Sequence, residues 1–360
     1  MPDVIVGTVV DDGGETLADH TTFHLGGPAD DFVFATTEQQ LTDAITAADA
    51  EGRPVLVLGG GSNLLVADAG FPGTVVKVGT YGVNPDIESS EDPTCGGVLV
   101  TVAAGESWDD LVATAVERGW VGVETLSGIP GSVGATPLQN VGAYGQEVSQ
   151  TIASVRVWDR KLRGIRTFAN AECLFGYRTS RFKTDRYDDF GSRHVVLSVT
   201  FQFRTGTLSA PVAYAELARA LGVEPGARVP LADARSAVLD LRRSKGMVLD
   251  ESDHDTWSAG SFFTNPIVES AEVPEGAPAY PQPDGTVKTS AAWLIDHAGY
   301  PKGYGNGRAS LSTKHTLALT NRGAATSDDV LALAREIRDG VADTFGILLE
   351  PEPTLLGVSW

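Results

Sequence analysis

The sequence predicts an α+β fold. Three observations carry this reading: short apolar strands come in runs rather than in strict alternation with helices, several helices are marked by caps and a single apolar face, and glycine is concentrated where strands end. The chain has 360 residues, which at roughly 150 residues per domain fits two or three domains. Glycine accounts for 41 of them, above the ~7% usual in globular proteins. With no collagen-like period, that excess belongs in loops that need positive φ or close backbone approach.

Taken in order, residues 37–51 read as a helix. Thr37 and Gln40 have capping-box spacing, Leu41, Ala44, Ile45 and Ala48 share one face, and Gly52 closes it ahead of Pro54. Pro54 to Leu58 is a short buried strand bounded by Gly59-Gly60-Gly61-Ser62-Asn63, and Leu64 to Val66 and Val75 to Val78 read as further strands. Residues 84–94 hold acids and prolines without an apolar period and read as an exposed loop. Val98 to Ala103 is a strand. Ser107 with Asp110 then caps a helix whose apolar face is Trp108, Leu111, Val112, Ala115 and Val116, ended by Gly119. Residues 128–145 contain five glycines, too many for a regular element. Strands resume at Val155–Trp158 and Val195–Phe201. A helix covers Ala232 to Gly246 with Arg235, Arg242, Arg243 and Lys245, and a last helix starts at Ser327 with Val330, Leu331, Ala334, Ile337 and Val341 in register.

Charge narrows the partners. Acidic residues number 47 against 27 basic ones, a formal net charge of −20, so polyanions such as nucleic acid and anionic membranes are repelled over most of the surface. Residues 156–193 run against this trend, with ten basic residues and five acids. The two cysteines, Cys95 and Cys173, supply no disulfide framework and no metal-ligand spacing. No His, Asp and Glu grouping has ligand spacing either, so no metal is expected; His20 and His24 read as structural. The apolar run at residues 4–10 is broken by Gly7 and lacks the basic start of a signal peptide. No stretch approaches the ~18 apolar residues of a membrane span. A soluble cytoplasmic protein is expected.

The candidate chemistry lies in the glycine loops. In Gly59-Gly60-Gly61-Ser62-Asn63, residues without side chains let backbone N–H groups approach an anion, and a hydroxyl adds a donor. No Gly-Lys-Ser/Thr follows, so it is not a P-loop; taken alone, a tight turn explains it as well as a phosphate cradle does. A second loop runs from Ser127 through Gly128-Ile129-Pro130-Gly131-Ser132-Val133-Gly134-Ala135 to Gln139-Asn140-Val141-Gly142-Ala143-Tyr144-Gly145. Two such loops in one chain suit the two phosphates of a diphosphate.

These loops, together with Phe175-Gly176-Tyr177-Arg178-Thr179-Ser180-Arg181, Ala259-Gly260-Ser261-Phe262-Phe263-Thr264-Asn265-Pro266 and Leu349-Glu350-Pro351-Glu352, occur in the order seen in UDP-N-acetylenolpyruvoylglucosamine reductases. The sequence resembles that family from about Thr21 to Leu356. The resemblance implies an FAD-binding fold of the vanillyl-alcohol-oxidase/PCMH type in two parts, residues 1–80 with 334–360 and residues 81–230, and an α+β substrate-binding domain at 231–333. It also implies the activity of peptidoglycan precursor synthesis: hydride passes from NADPH to FAD and then to the enolpyruvyl C3 of the UDP sugar. The flavin contacts it implies are Gly59, Gly60, Gly61, Ser62, Asn63, Leu64, Ile129, Gly131, Ser132, Gly134, Ala135, Asn140, Gly142, Ala143 and Tyr144. No histidine or cysteine lies in either glycine loop, so non-covalent FAD is expected.

Three residues match the family's catalytic positions. Arg178 is an always-charged planar cation suited to the charge that builds at C2. Ser261 is the proton donor to C2, helped by a dry pocket lined by Phe262 or Phe263. Glu352 arranges the enolate and the donor, whereas Glu350 reads as solvent-exposed. Tyr214, Lys245 and Asn265 match contacts to the substrate diphosphate, and His315 is added where related sequences vary. The protein is expected to act as a monomer. Two alternatives stay open: a flavin oxidase of a sugar or alcohol on the same fold, and a nucleotide-sugar-binding protein without catalysis.

Overall fold

The computed structural model describes residues 15–86 and 97–360. The N-terminal apolar run, Cys95 and residues 87–94 of the acidic stretch lie outside them. The chain divides into two compact units: residues 29–60 and 72–242 belong to the first, and residues 16–28, 61–71 and 243–360 make the second. Both mix helix and sheet, as the sequence predicts.

In the first unit the helix Glu38–Ala50 has its capping box in place, with the Thr37 side chain accepting from Gln40 N–H and the Gln40 side chain accepting from Thr37 N–H. It packs on a three-stranded sheet in which Val55–Leu58 runs parallel to Phe71–Val78, with Leu58 beside Lys77. The larger sheet is antiparallel and ordered Gly164–Ala169, Ile152–Asp159, His194–Thr205, Gly97–Ala103, Val83–Pro85. Alternation is plainest in Gly97–Ala103, where Val98, Val100 and Val102 are buried. The helix Trp108–Glu117 covers the core with Trp108 and Leu111, and the indole N–H of Trp108 donates to Leu126 O at 3.1 Å.

One expectation changes here. Asn84 and Pro85 are not loop: they belong to the edge strand Val83–Pro85, paired with Thr101 and Val100, a position where proline's missing N–H and a weak apolar pattern are tolerated. Within the basic stretch 156–193, Arg156 pairs with Glu38 at 2.6 Å, Arg160 with Asp49 at 2.6 Å and Arg193 with Asp159 at 2.7 Å, while Lys161, Arg163, Lys183 and Arg186 are exposed.

The second unit is built around the helix Ser327–Phe345, capped by Thr326 with Asp329 and ended by Gly346 in the left-handed conformation. Val330, Leu331, Ala334, Ile337 and Val341 form its buried face as the periodicity predicts, against Phe262, Phe263, Leu294 and Ile295. Leu64–Val66 pairs in parallel with Thr354–Leu356, so the residues after the first glycine loop are fastened to the C-terminal segment.

Candidate active site

In the first unit the two glycine loops lie backbone to backbone. A Cβ at Gly60 would stand 2.5 Å from Gly131 Cα, and one at Gly59 would stand 2.5 Å from Ser132 Oγ. Glycine is obligatory where two main chains approach so closely. The second loop is fixed by main-chain bonds: Trp108 N donates to Gly131 O, Val133 N to Glu106 O and Gly134 N to Ala104 O. Ile129 packs on the unit's core, and Ala135 ends the 3-10 turn Val133–Ala135.

Further along, Asn140 and Tyr144 have φ of 44° and 48°, and Arg178 has 53°. Each left-handed non-glycine residue costs roughly 1–2 kcal/mol, and such strain collects at functional sites. Asn140 is buried and its amide is fully engaged: Nδ2 donates to Glu147 Oε2 at 2.8 Å and to Gly176 O at 3.2 Å, while Oδ1 accepts from Ser149 N–H. It ties residues 140–149 to the turn that carries Arg178. Arg178 Nη2 donates to Gly142 O at 2.9 Å, and the carbonyl of the neighbouring Ala143 accepts from Thr125 Oγ1. Tyr144 meets Tyr214 edge-on, ring centroids 5.5 Å apart. The first unit thus gathers Gly142, Tyr144, Arg178 and Tyr214 in one neighbourhood.

In the second unit the carbonyl of Gly61 accepts from Thr22 N–H and that of Asn63 from Thr354 N–H. A Cβ at Gly61, φ 63°, would collide with His20 O. Ser62 lies in the turn between them, and Leu64 opens the strand paired with Thr354. Ser261 follows Gly260, which has φ 73°. The next residues pair antiparallel with the C-terminal segment: Glu352 N donates to Phe262 O at 2.8 Å, Thr264 N donates to Glu350 O at 3.0 Å, and Phe263 bridges Pro351. Ser261 and Glu352, distant in sequence, therefore sit on facing strands of backbone. Phe262 N donates to Leu317 O at 2.7 Å, which brings the His315 turn alongside. Asn265 Oδ1 accepts from Ala291 N–H at the start of the helix Ala291–His297. Lys245 precedes Gly246, whose added Cβ would meet Asp255 O at 2.9 Å.

The expected apolar lining is corrected. Phe262 and Phe263 are 0% and 1% exposed and point into the core with Phe23 and Trp360. They anchor the segment that carries Ser261 rather than wall a pocket, because large aromatic rings stabilise most when fully buried.

Sequence reasoning missed several residues here. Asp109 accepts from Gly128 N–H at 2.6 Å and takes a bidentate pair from Arg235 at 2.6 and 2.9 Å. Burial alone would raise its pKa, but the Arg235 and Gly128 bonds hold it below the usual carboxylate range. Arg242 keeps part of its surface exposed, yet its guanidinium lies deep enough that burial lowers its pKa to about 10, against the opposing pull of Tyr144 and Asp109. The same environment pushes Tyr144 up to about 12, chiefly through burial. The signal was present, since Arg235 and Arg242 are seven apart and so share one face of the helix Leu231–Ser244. A third omission is Lys77, whose Nζ donates to Gly59 O at 2.7 Å.

The residues fit a dinucleotide. The glycines leave no room for side chains, and among the described residues of each unit no protein acceptor takes the N–H of Gly60, Ser132 or Gly61, so these donors are available to a phosphate. Residues 29–162 match the FAD-binding domain family, and residues 251–356 match the C-terminal domain of UDP-N-acetylenolpyruvoylglucosamine reductase. An α+β chain with an FAD-binding domain and this loop pair is a flavin-dependent oxidoreductase. It is 58% identical to the UDP-N-acetylenolpyruvoylglucosamine reductase of Cutibacterium acnes, over 99% of this chain and 93% of that one, and 56% identical to that of Streptomyces avermitilis, over 95% and 94%. The crystal structure of the Thermus caldophilus enzyme aligns with a TM-score of 0.61 at 25% identity, covering 95% of this chain and 97% of the other. The chain belongs to the UDP-N-acetylenolpyruvoylglucosamine reductase family. Among the described residues no helix is long and apolar enough to cross a membrane.

Proposed function

We propose that the protein reduces the enolpyruvyl group of UDP-N-acetylenolpyruvoylglucosamine to the lactyl ether of UDP-N-acetylmuramate, with NADPH as the hydride source and non-covalent FAD as the relay, in peptidoglycan precursor synthesis. The observation that carries this reading is the pairing of residues 262–264 with 350–352, which sets a hydroxyl and a carboxylate on adjacent backbone. Bound flavin supplies the hydride delivered to C3. Arg178 bears the cation that draws the resulting negative charge at C2 toward the substrate carboxylate. Ser261 gives its hydroxyl proton to C2, so that one hydride and one proton add across the double bond, and recovers a proton from solvent. Glu352 orients that hydroxyl. Tyr214, Lys245, Asn265 and His315 bind the UDP portion within a substrate region centred on 231–333, and the enzyme works as a cytoplasmic monomer.

One anaerobic titration tests the whole reading. NADPH bleaches the bound flavin, and the enolpyruvyl sugar restores its colour with formation of one equivalent of product. A purified protein that takes up no FAD, or a reduced flavin that oxygen but not the sugar reoxidises, sinks it.

A further inference from the structure

Lys77 stands on the strand Phe71–Val78 beside Leu58, the last residue before the first glycine loop. Its side chain is half-buried, and its ammonium donates to Gly59 O at 2.7 Å. Among the described residues, no carboxylate lies within ion-pair distance of it, in a protein of net charge −20. Burial lowers its pKa and no protein charge opposes that. A cation placed so, with one N–H donor on a carbonyl and none on a carboxylate, is stabilised by an anion that the folded chain does not itself provide.

The loop supplies the geometry. In a trans peptide the carbonyl and the following N–H point to opposite sides. Fixing Gly59 O toward Lys77 therefore turns Gly60 N–H away from the strand, and among the described residues of this unit nothing accepts from that N–H. The charge behind the carbonyl also polarises the peptide, which strengthens the N–H as a donor.

We propose that Lys77 is a positioning residue of the first glycine loop: it aims the Gly60 N–H at a phosphate of the flavin dinucleotide and adds one positive charge behind it. This rests on the loop being a flavin-phosphate site. It predicts a selective loss, because riboflavin shares the isoalloxazine ring of FAD but has no phosphate.

The test is affinity for FAD and for riboflavin, read by flavin fluorescence, in the full-length protein stripped of flavin and in its variants. Lys77→Met is expected to bind FAD ~10-fold more weakly, the scale of one hydrogen bond to a charged group, with riboflavin affinity unchanged and a shallower dependence of FAD affinity on salt. Lys77→Arg restores most of the loss. Lys77→Gln keeps a donor for Gly59 O without the charge; it falls between them and stands in if the methionine variant does not fold. Unchanged FAD affinity in both neutral variants, or equal losses for FAD and riboflavin, overturns the proposal. Gly60→Ala separates the two layers: if it binds FAD normally, the loop itself is misassigned, whereas a loss there with a silent Lys77→Met removes only Lys77.

Discussion

In the first unit the candidate residues stand on unusual backbone. Gly60 meets the main chain of Gly131 at a distance that excludes a Cβ, Gly59 faces the Ser132 hydroxyl, and Asn140, Tyr144 and Arg178 are held at positive φ. In the second unit Gly61 shares this, at φ 63° against His20 O, but the side-chain candidates are pinned by long-range pairing: Ser261 is carried beside Glu352 because Phe262, Phe263 and Thr264 bond to residues 350–352. The first arrangement presents main-chain N–H groups, which any added side chain disrupts. The second presents side chains, which can be truncated with the framework intact. The glycine loops are therefore sensitive to added atoms, and the Ser261 and Glu352 pairing of the second unit to removed ones.

The largest effect is expected from removal in the second unit. Ser261→Ala deletes one oxygen from a segment whose anchors, Phe262 and Phe263, are untouched. Turnover of the enolpyruvyl sugar should fall ~10²- to 10⁴-fold, the usual contribution of a positioned proton donor. Flavin content and the rate of flavin reduction by NADPH should not change. Equal losses in both half-reactions would show that the serine holds structure rather than a proton.

Next comes the frame of the first unit. Arg160 and Asp49 pair with side chains 0% and 5% exposed, and the guanidinium also reaches Asp188 and lies over the Tyr187 ring. Arg160→Met leaves Asp49 buried without its cation, a loss of ~3–5 kcal/mol. Urea unfolding followed by tryptophan fluorescence reads it. A midpoint equal to that of the wild type would mean that Asp49 is relieved by water or protonation.

Addition in the first unit ranks third. Gly60→Ala places a methyl group 2.5 Å from Gly131 Cα and 3.0 Å from its carbonyl carbon, both backbone atoms with little room to move. Forcing the loops apart by overpacking costs ~1–3 kcal/mol, or ~10- to 100-fold in FAD affinity. Gly52→Ala is the control for a methyl group without a collision: nothing stands within 4 Å of the Gly52 Cβ position. Full flavin occupancy in Gly60→Ala would dissolve the contrast between the units.

How much of this was legible follows from the same contrast. Caps, apolar faces and glycine clusters are local, so the helices at 38–50, 108–117 and 327–345 and both loops could be read directly. The strand Ala29–Ala35 could not, because Asp30 and Asp31 interrupt its apolar pattern and only its last residue is buried. Lys77 reads as a polar residue in a strand until the register with Leu58 puts its ammonium under Gly59. Asp109 reads as a first-turn helix acid, which it is; that it also holds Gly128 N–H depends on a contact between distant segments. Phe262 or Phe263 reads as pocket lining because both follow Ser261 directly, and the pairing with 350–352 turns them into the core instead.

The smallest effect sharpens how the first unit treats charge. Burial holds the Tyr144 hydroxyl neutral and raises its pKa to about 12; Glu216 and Tyr214 push the same way, and Arg242 opposes them. In the unfolded chain a tyrosine ionises near ~10. Between those values the unfolded state has lost a proton that the folded state keeps, so this contribution is complete below ~10 and declines as pH rises toward about 12. Tyr144→Phe keeps the edge-on ring contact with Tyr214 and removes the titrating group. From roughly pH 9 to roughly pH 11 the wild type should therefore lose more stability than the variant, a difference read from unfolding midpoints at the two pH values. Parallel losses would mean that Tyr144 ionises as freely folded as unfolded. Its neighbourhood with Arg178 would then be wet rather than enclosed, and the strained backbone of this unit would be holding its residues against water.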